Sequence, residues 1–204
     1  MATHLTSPDL LNLASLAIPQ TALTQTAGFP AHGLLVIAAP FAAAPEMLAL
    51  AARLALHGSL RVLDAGNRFN AYRVALAIRG LTASDPAPWL QRIAIARAFT
   101  CHQGAALLAQ TSPQPAVPVL VIDLLDTFYD ESAPLSERRR LLGECLAHLR
   151  SLSRLAPVVA SLRPPPPGEP DPAGFLETLR RAADFYLTSA STSNMPTQPR
   201  LPLF

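Results

Sequence analysis

From Gly33 onward, short apolar runs alternate with longer amphipathic segments, a pattern few folds accept. The runs Leu34–Ala38, Leu60–Leu63, Ile93–Ala96, Val119–Ile122, Val158–Ser161 and Phe185–Leu187 lack a regular polar alternation, so they are predicted to be buried strands. Between them the spacing predicts helices near Ala44–Leu56, Asn70–Ile78, Gln103–Gln110, Ser136–Leu155 and Ala173–Ala182, the last opened by Asp171-Pro172. Parallel strands need crossovers of this length. The expected fold class is therefore α/β, a mainly parallel central sheet flanked by helices.

With 204 residues, half of them hydrophobic and only 15% charged, the chain can bury one sizeable core. Residues 1–30 read as a lead-in, with a helix opened by Ser7-Pro8-Asp9. Residues 31–190 form the domain, and 191–204 a flexible tail rich in Ser, Thr and Pro. The run Arg163-Pro164-Pro165-Pro166-Pro167 is predicted to be an extended loop. Gly33–Ala52 is the most apolar stretch, but Pro40, Pro45 and Glu46 interrupt it, so no membrane span is expected. A cytoplasmic location follows as the expectation, and the unpaired spacing of Cys101 and Cys145 agrees with it.

All sixteen basic residues are arginines. Without lysine there is no Schiff-base chemistry and no phosphate-gripping lysine. The formal net charge of +2 is too small to imply a polyanion partner by itself, so any basic surface must be local. The five histidines show no metal-ligand spacing, and no Ser-His-Asp or G-x-S-x-G arrangement is present. No metal or cofactor is expected.

In an open α/β sheet the chemistry lies beyond the carboxyl ends of the strands. The first such loop runs from Ala39 and Pro40 to Ala44, Pro45 and Glu46. When a phosphate-binding G-x-x-x-x-G-K-[ST] is laid on it, the glycines become Ala39 and Ala44, the lysine Pro45 and the magnesium-binding hydroxyl Glu46. Each change removes a requirement of phosphate binding, and the carboxylate repels the anion. On these residues alone the loop is equally well a plain strand-to-helix turn.

The following landmarks are Val62-Leu63-Asp64-Ala65-Gly66-Asn67-Arg68, the segment Ala96-Arg97-Ala98-Phe99, the strand Val119–Ile122 ending in Asp123, and the helix led by Pro134-Leu135-Ser136-Glu137-Arg138-Arg139-Arg140. In order and spacing they resemble the ATPase core of RecA, and more closely its archaeal and eukaryotic recombinase relatives. The resemblance covers roughly residues 33 to 190 and implies a RecA-like P-loop ATPase fold with a degenerate phosphate loop. It places Asp123 where a carboxylate would organise magnesium; the alternative is a satisfied strand-end residue. It places Gly66 where the family has its water-activating glutamate. Lacking the lysine, the magnesium hydroxyl and that glutamate, the chain is expected not to be an enzyme. Arg68 and Arg97 could then pair with Asp64 or Asp123 inside the vacated site.

The resemblance also implies two DNA-contacting loops, over Asp126–Pro134 and Arg163–Pro172. Phe128 and Tyr129 would stack on bases if exposed, and otherwise belong to the core. Arg138, Arg139 and Arg140, with Arg163 nearby, form the one dense basic cluster, read either as a DNA surface or as a solvated face paired with Glu137 and Glu144. The tail ends in Leu201-Pro202-Leu203-Phe204, similar to peptides that dock on the bacterial sliding clamp through Leu201, Leu203 and Phe204, although Arg200 replaces the leading glutamine. The expected function is a non-catalytic accessory protein of DNA repair or recombination. Its partners would be single-stranded DNA, a recombinase-like or repair protein, or the clamp. The alternatives are a nucleotide-binding subunit completed by a partner and a pure protein scaffold.

Overall fold

The computed structural model describes residues 3–5, 32–130, 132–165, 171 and 174–188. The strands are β1 (Thr3–Leu5), β2 (Gly33–Ala38), β3 (Leu60–Asp64), β4 (Ile93–Arg97), β5 (Val119–Ile122), β6 (Pro157–Leu162) and β7 (Phe185–Thr188). They form one sheet in the order β1-β7-β2-β6-β5-β3-β4, parallel at every pairing. The helices are α1 (Ala44–His57), α2 (Ala71–Thr82), α3 (Ala87–Leu90), α4 (Cys101–Gln110), α5 (Asp126–Tyr129), α6 (Leu135–Ser153) and α7 (Phe175–Ala182).

Alternate strand residues feed two cores. Leu34, Val36 and Ala38 of β2 join α4, α6 and α7 on one face, while Leu35 and Ile37 join α1 and α2 on the other. The connections from β2 to β3 to β4 step one way across the sheet over the first face of helices, α1 and α2. Those from β4 through β5 and β6 to β7 step back over the opposite face. Right-handed crossovers require this reversal.

The helix starts have local causes. The Asn70 side chain accepts the Arg73 N–H to cap α2, and Thr100 accepts the Gln103 N–H to cap α4. The Asp171 carboxylate takes the N–H groups of Phe175 and Leu176 at the head of α7, so that helix begins two residues later than expected. β4 departs from expectation more clearly. It closes one edge of the sheet, with no strand among the described residues on its outer side, and Ala94 and Ile95 are exposed rather than buried. The strand β1 and the one-turn helices α3 and α5 were not expected. The proposed helix at Ser7-Pro8-Asp9 and the tail bearing Leu201, Leu203 and Phe204 lie outside the described residues. Among the described residues no helix is long and apolar enough to cross a membrane.

Candidate functional site

The neighbours β3 and β5 send their following segments to opposite faces, to α2 and α6, so a crevice opens beyond their carboxyl ends. Two carboxylates stand there. Asp64, the last residue of β3, is 1% exposed. Its Oδ1 accepts the Arg68 N–H at 2.8 Å, and its Oδ2 accepts the Phe69 N–H at 3.0 Å and the Arg97 Nε at 3.2 Å. Arg97 also donates from Nη2 to the Phe69 carbonyl at 3.0 Å. Asp64 thus shapes the turn after β3 and anchors an arginine from β4.

Asp123 follows β5 with no exposed surface and a positive φ of 53°. Its N–H donates to Ser161 Oγ at 3.2 Å. Its Oδ2 accepts from Arg68 Nε, and its Oδ1 accepts the Arg163 N–H at 3.2 Å. Arg163 in turn donates from Nη2 to Asp126 Oδ1 at 2.6 Å, and Arg68 Nη2 lies 3.9 Å from the same oxygen. Burial and the neighbouring Asp123 charge raise the Asp126 pKa, while Arg163 and Arg68 oppose the shift. Gly66 closes against this group. A Cβ there would stand 2.4 Å from the Asp123 Cβ, so only glycine fits.

The structure therefore brings together Gly66, Asp123, Arg163, Asp64, Arg68 and Arg97 of the predicted residues, and adds the Asp126 carboxylate. The pairing of Arg68 and Arg97 with Asp123 and Asp64 follows the expectation. The bridge from Arg163 to Asp126 does not, because it joins loops 37 residues apart.

The loop after β2 lies two strands from Asp123, about 10 Å by strand spacing. Phe41, Ala42 and Ala43 all have left-handed dihedrals, with φ of 53°, 54° and 49°. The loop turns on itself. The Ala42 N–H donates to the Ala39 carbonyl at 3.0 Å, and the Ala44 N–H to that of Phe41. Pro40 and Pro45 have no N–H to offer. Glu46 lies in the first turn of α1, where a phosphate would meet a like charge.

A magnesium nucleotide does not fit these residues. Both oxygens of the carboxylate that would face the cation already accept hydrogen bonds, one from a guanidinium, and the loop has spent or lost most of the amides a phosphate needs.

The expected basic cluster is not one surface. Arg138 is 9% exposed and donates to the Phe128 carbonyl at 3.0 Å. Arg140 is bound to both Glu137 and Glu144, and its hydrogen bond holds the Glu137 carboxyl down to about 2. Arg139 alone projects as an exposed cation without an ion pair among the described residues. Phe128 is fully buried and packs edge-on against Phe175 at 6.1 Å, so it is core, and Tyr129 leans on the same ring. Among the described residues the exposed aromatic side chains are instead Phe41, Tyr72 and Phe99.

Fold and cluster together define the class: an α/β protein with a parallel sheet, whose switch-point crevice is closed by its own ion pairs. The chain matches no protein-family model and no curated protein sequence.

Proposed function

We propose that this chain is a non-catalytic protein of RecA-like fold, a cytoplasmic accessory factor in DNA repair or recombination that binds DNA or a protein partner without hydrolysing ATP. The observation that carries the reading is the state of Asp123, buried and held by Arg68 and Arg163 where a magnesium-organising carboxylate would have to be open. The order of the sheet supports it. The degenerate loop and Asp123 end two strands separated only by β6, on the same edge of the sheet.

Phosphoryl transfer depends on positioned charge, and here the positions are occupied by groups that neutralise each other. What remains for function is the surface. Isothermal titration calorimetry with ATP and magnesium tests the claim. We expect no saturable heat at ligand concentrations up to about 1 mM, and a Kd tighter than that overturns the closed nucleotide site on which the non-catalytic reading rests.

A further inference from the structure

We infer that the amino-terminal edge of the sheet, opposite the switch-point crevice, is a docking surface for the phosphate backbone of a nucleic acid. The inference rests on the DNA-binding part of the proposed function and names the surface. Every strand is parallel, so all strand starts share one edge, and the helices that return to them end there.

Arg61 stands at the start of β3, Arg92 just before β4, Arg79 in the last turn of α2, Arg150 in the last turn of α6 and Arg154 at its end. None of these five forms an ion pair among the described residues. Arg61 donates to the Ser112 carbonyl at 2.6 Å, and Arg92 to the carbonyls of Ala55 and Leu56, each at 3.2 Å. Such bonds to neutral oxygens orient a guanidinium and leave its charge. Arg79, Arg92, Arg150 and Arg154 are exposed.

The crevice edge differs in degree: there Arg68, Arg97, Arg140 and Arg163 are paired with carboxylates, and Arg73 and Arg139 are the exposed arginines without an ion pair among the described residues. At the amino-terminal edge the described carboxylates are Asp85 and Asp184, and each accepts a backbone N–H, from Ala87 and Leu34 respectively. Arg180 and Arg181 of α7 are held by Glu177.

A helix C-terminus favours a nearby cation whatever its use, which accounts for Arg79 and Arg150 singly. It does not account for Arg61, or for five arginines without an ion pair among the described residues along β6, β5, β3 and β4, a line of about 14 Å by strand spacing. Guanidinium groups without lysine suit bidentate phosphate contacts. A protein partner would need an apolar centre. Only Leu81 and Leu155 among the exposed large hydrophobic side chains lie at this edge.

The test is fluorescence anisotropy of a labelled single strand of about 30 nucleotides, titrated between about 50 and 200 mM salt. We expect salt-sensitive binding by the wild type. R79Q/R150Q/R154Q should weaken it about tenfold or more and reduce the salt slope by about two, while R139Q/R140Q leaves Kd within about twofold. Melting temperatures of both variants identify any loss of folding. Absence of salt-sensitive binding overturns the inference, as does binding to anionic vesicles or an acidic polypeptide with none to DNA. Loss confined to the second variant also overturns it, while leaving DNA contact standing. The ATP titration judges the non-catalytic reading separately.

Discussion

Gly66 and Asp123 are locked to one another, since the missing Cβ of the first is the space taken by the second. Gly66→Ala should lower stability by about 1–3 kcal/mol in chemical denaturation, the usual cost of forcing atoms into a packed site. Gly80→Ala is the control. It sits in α2 with nothing within 4 Å of its added Cβ, and should raise stability by about 0.5–1 kcal/mol through helix propensity. At this scale the sequence was readable where a residue's place follows from a run. Asp64 and Asp123 end apolar strands, and arginines close by were natural partners. Arg138 was misread as an equal of Arg139 and Arg140, although the signal was available. The apolar stripe of Leu142, Cys145 and Leu149, carried back one turn, lands on Arg138 and buries it. The Arg163–Asp126 bridge had no such signal, because only the adjacency of β5 and β6 brings its ends together.

Among the elements, the entry to α1 stands out. Three successive non-glycine residues in the left-handed region each cost on the order of 1 kcal/mol, and the buried Ala42 and Ala43 are held there by the surrounding packing. Phe41 is 73% exposed and has little packing to lose. Phe41→Gly should therefore stabilise the protein by about 1 kcal/mol, seen as a higher denaturation midpoint; an unchanged or lower midpoint contradicts the left-handed loop. The longer elements were legible because periodicity accumulates with length. Val119–Ile122 agrees end for end, and the helices agree within about two residues except α2, which runs four residues beyond the expected Ile78 to Thr82. The helices α3 and α5 span a single turn and carry no period to detect, and β1 has only three residues. The burial of β4 was overestimated because an apolar run does not reveal whether it lies inside a sheet or at its edge.

For the whole molecule, the parallel sheet has a protected centre and an open side. β2 and β6 are buried along their full length, whereas among the described residues β4 pairs only with β3 and half its amides face outward. Native-state hydrogen exchange should show Leu35, Val36 and Val159 opening only with global unfolding, and outward-facing β4 amides exchanging orders of magnitude faster. Uniform protection would mean that something covers the β4 edge in solution. The α/β class and the direction of the sheet could be read from the alternation of runs. The separation of charge between the two edges could not, because it depends on which end of each helix and strand an arginine occupies.

The position of β2 also has a consequence for synthesis. Its two neighbours, β6 and β7, are among the last parts of the domain to be translated, while β3, β4 and β5 can pair among themselves as soon as they emerge. At about 5–20 residues per second, β2 leaves the ribosome roughly ten seconds before its first lateral partner. Through that interval Leu34, Leu35, Val36 and Ile37 form an extended apolar segment with no strand to join. A strand buried along its full length in the finished protein is thus exposed during its birth, and the natural place for a holding chaperone to act.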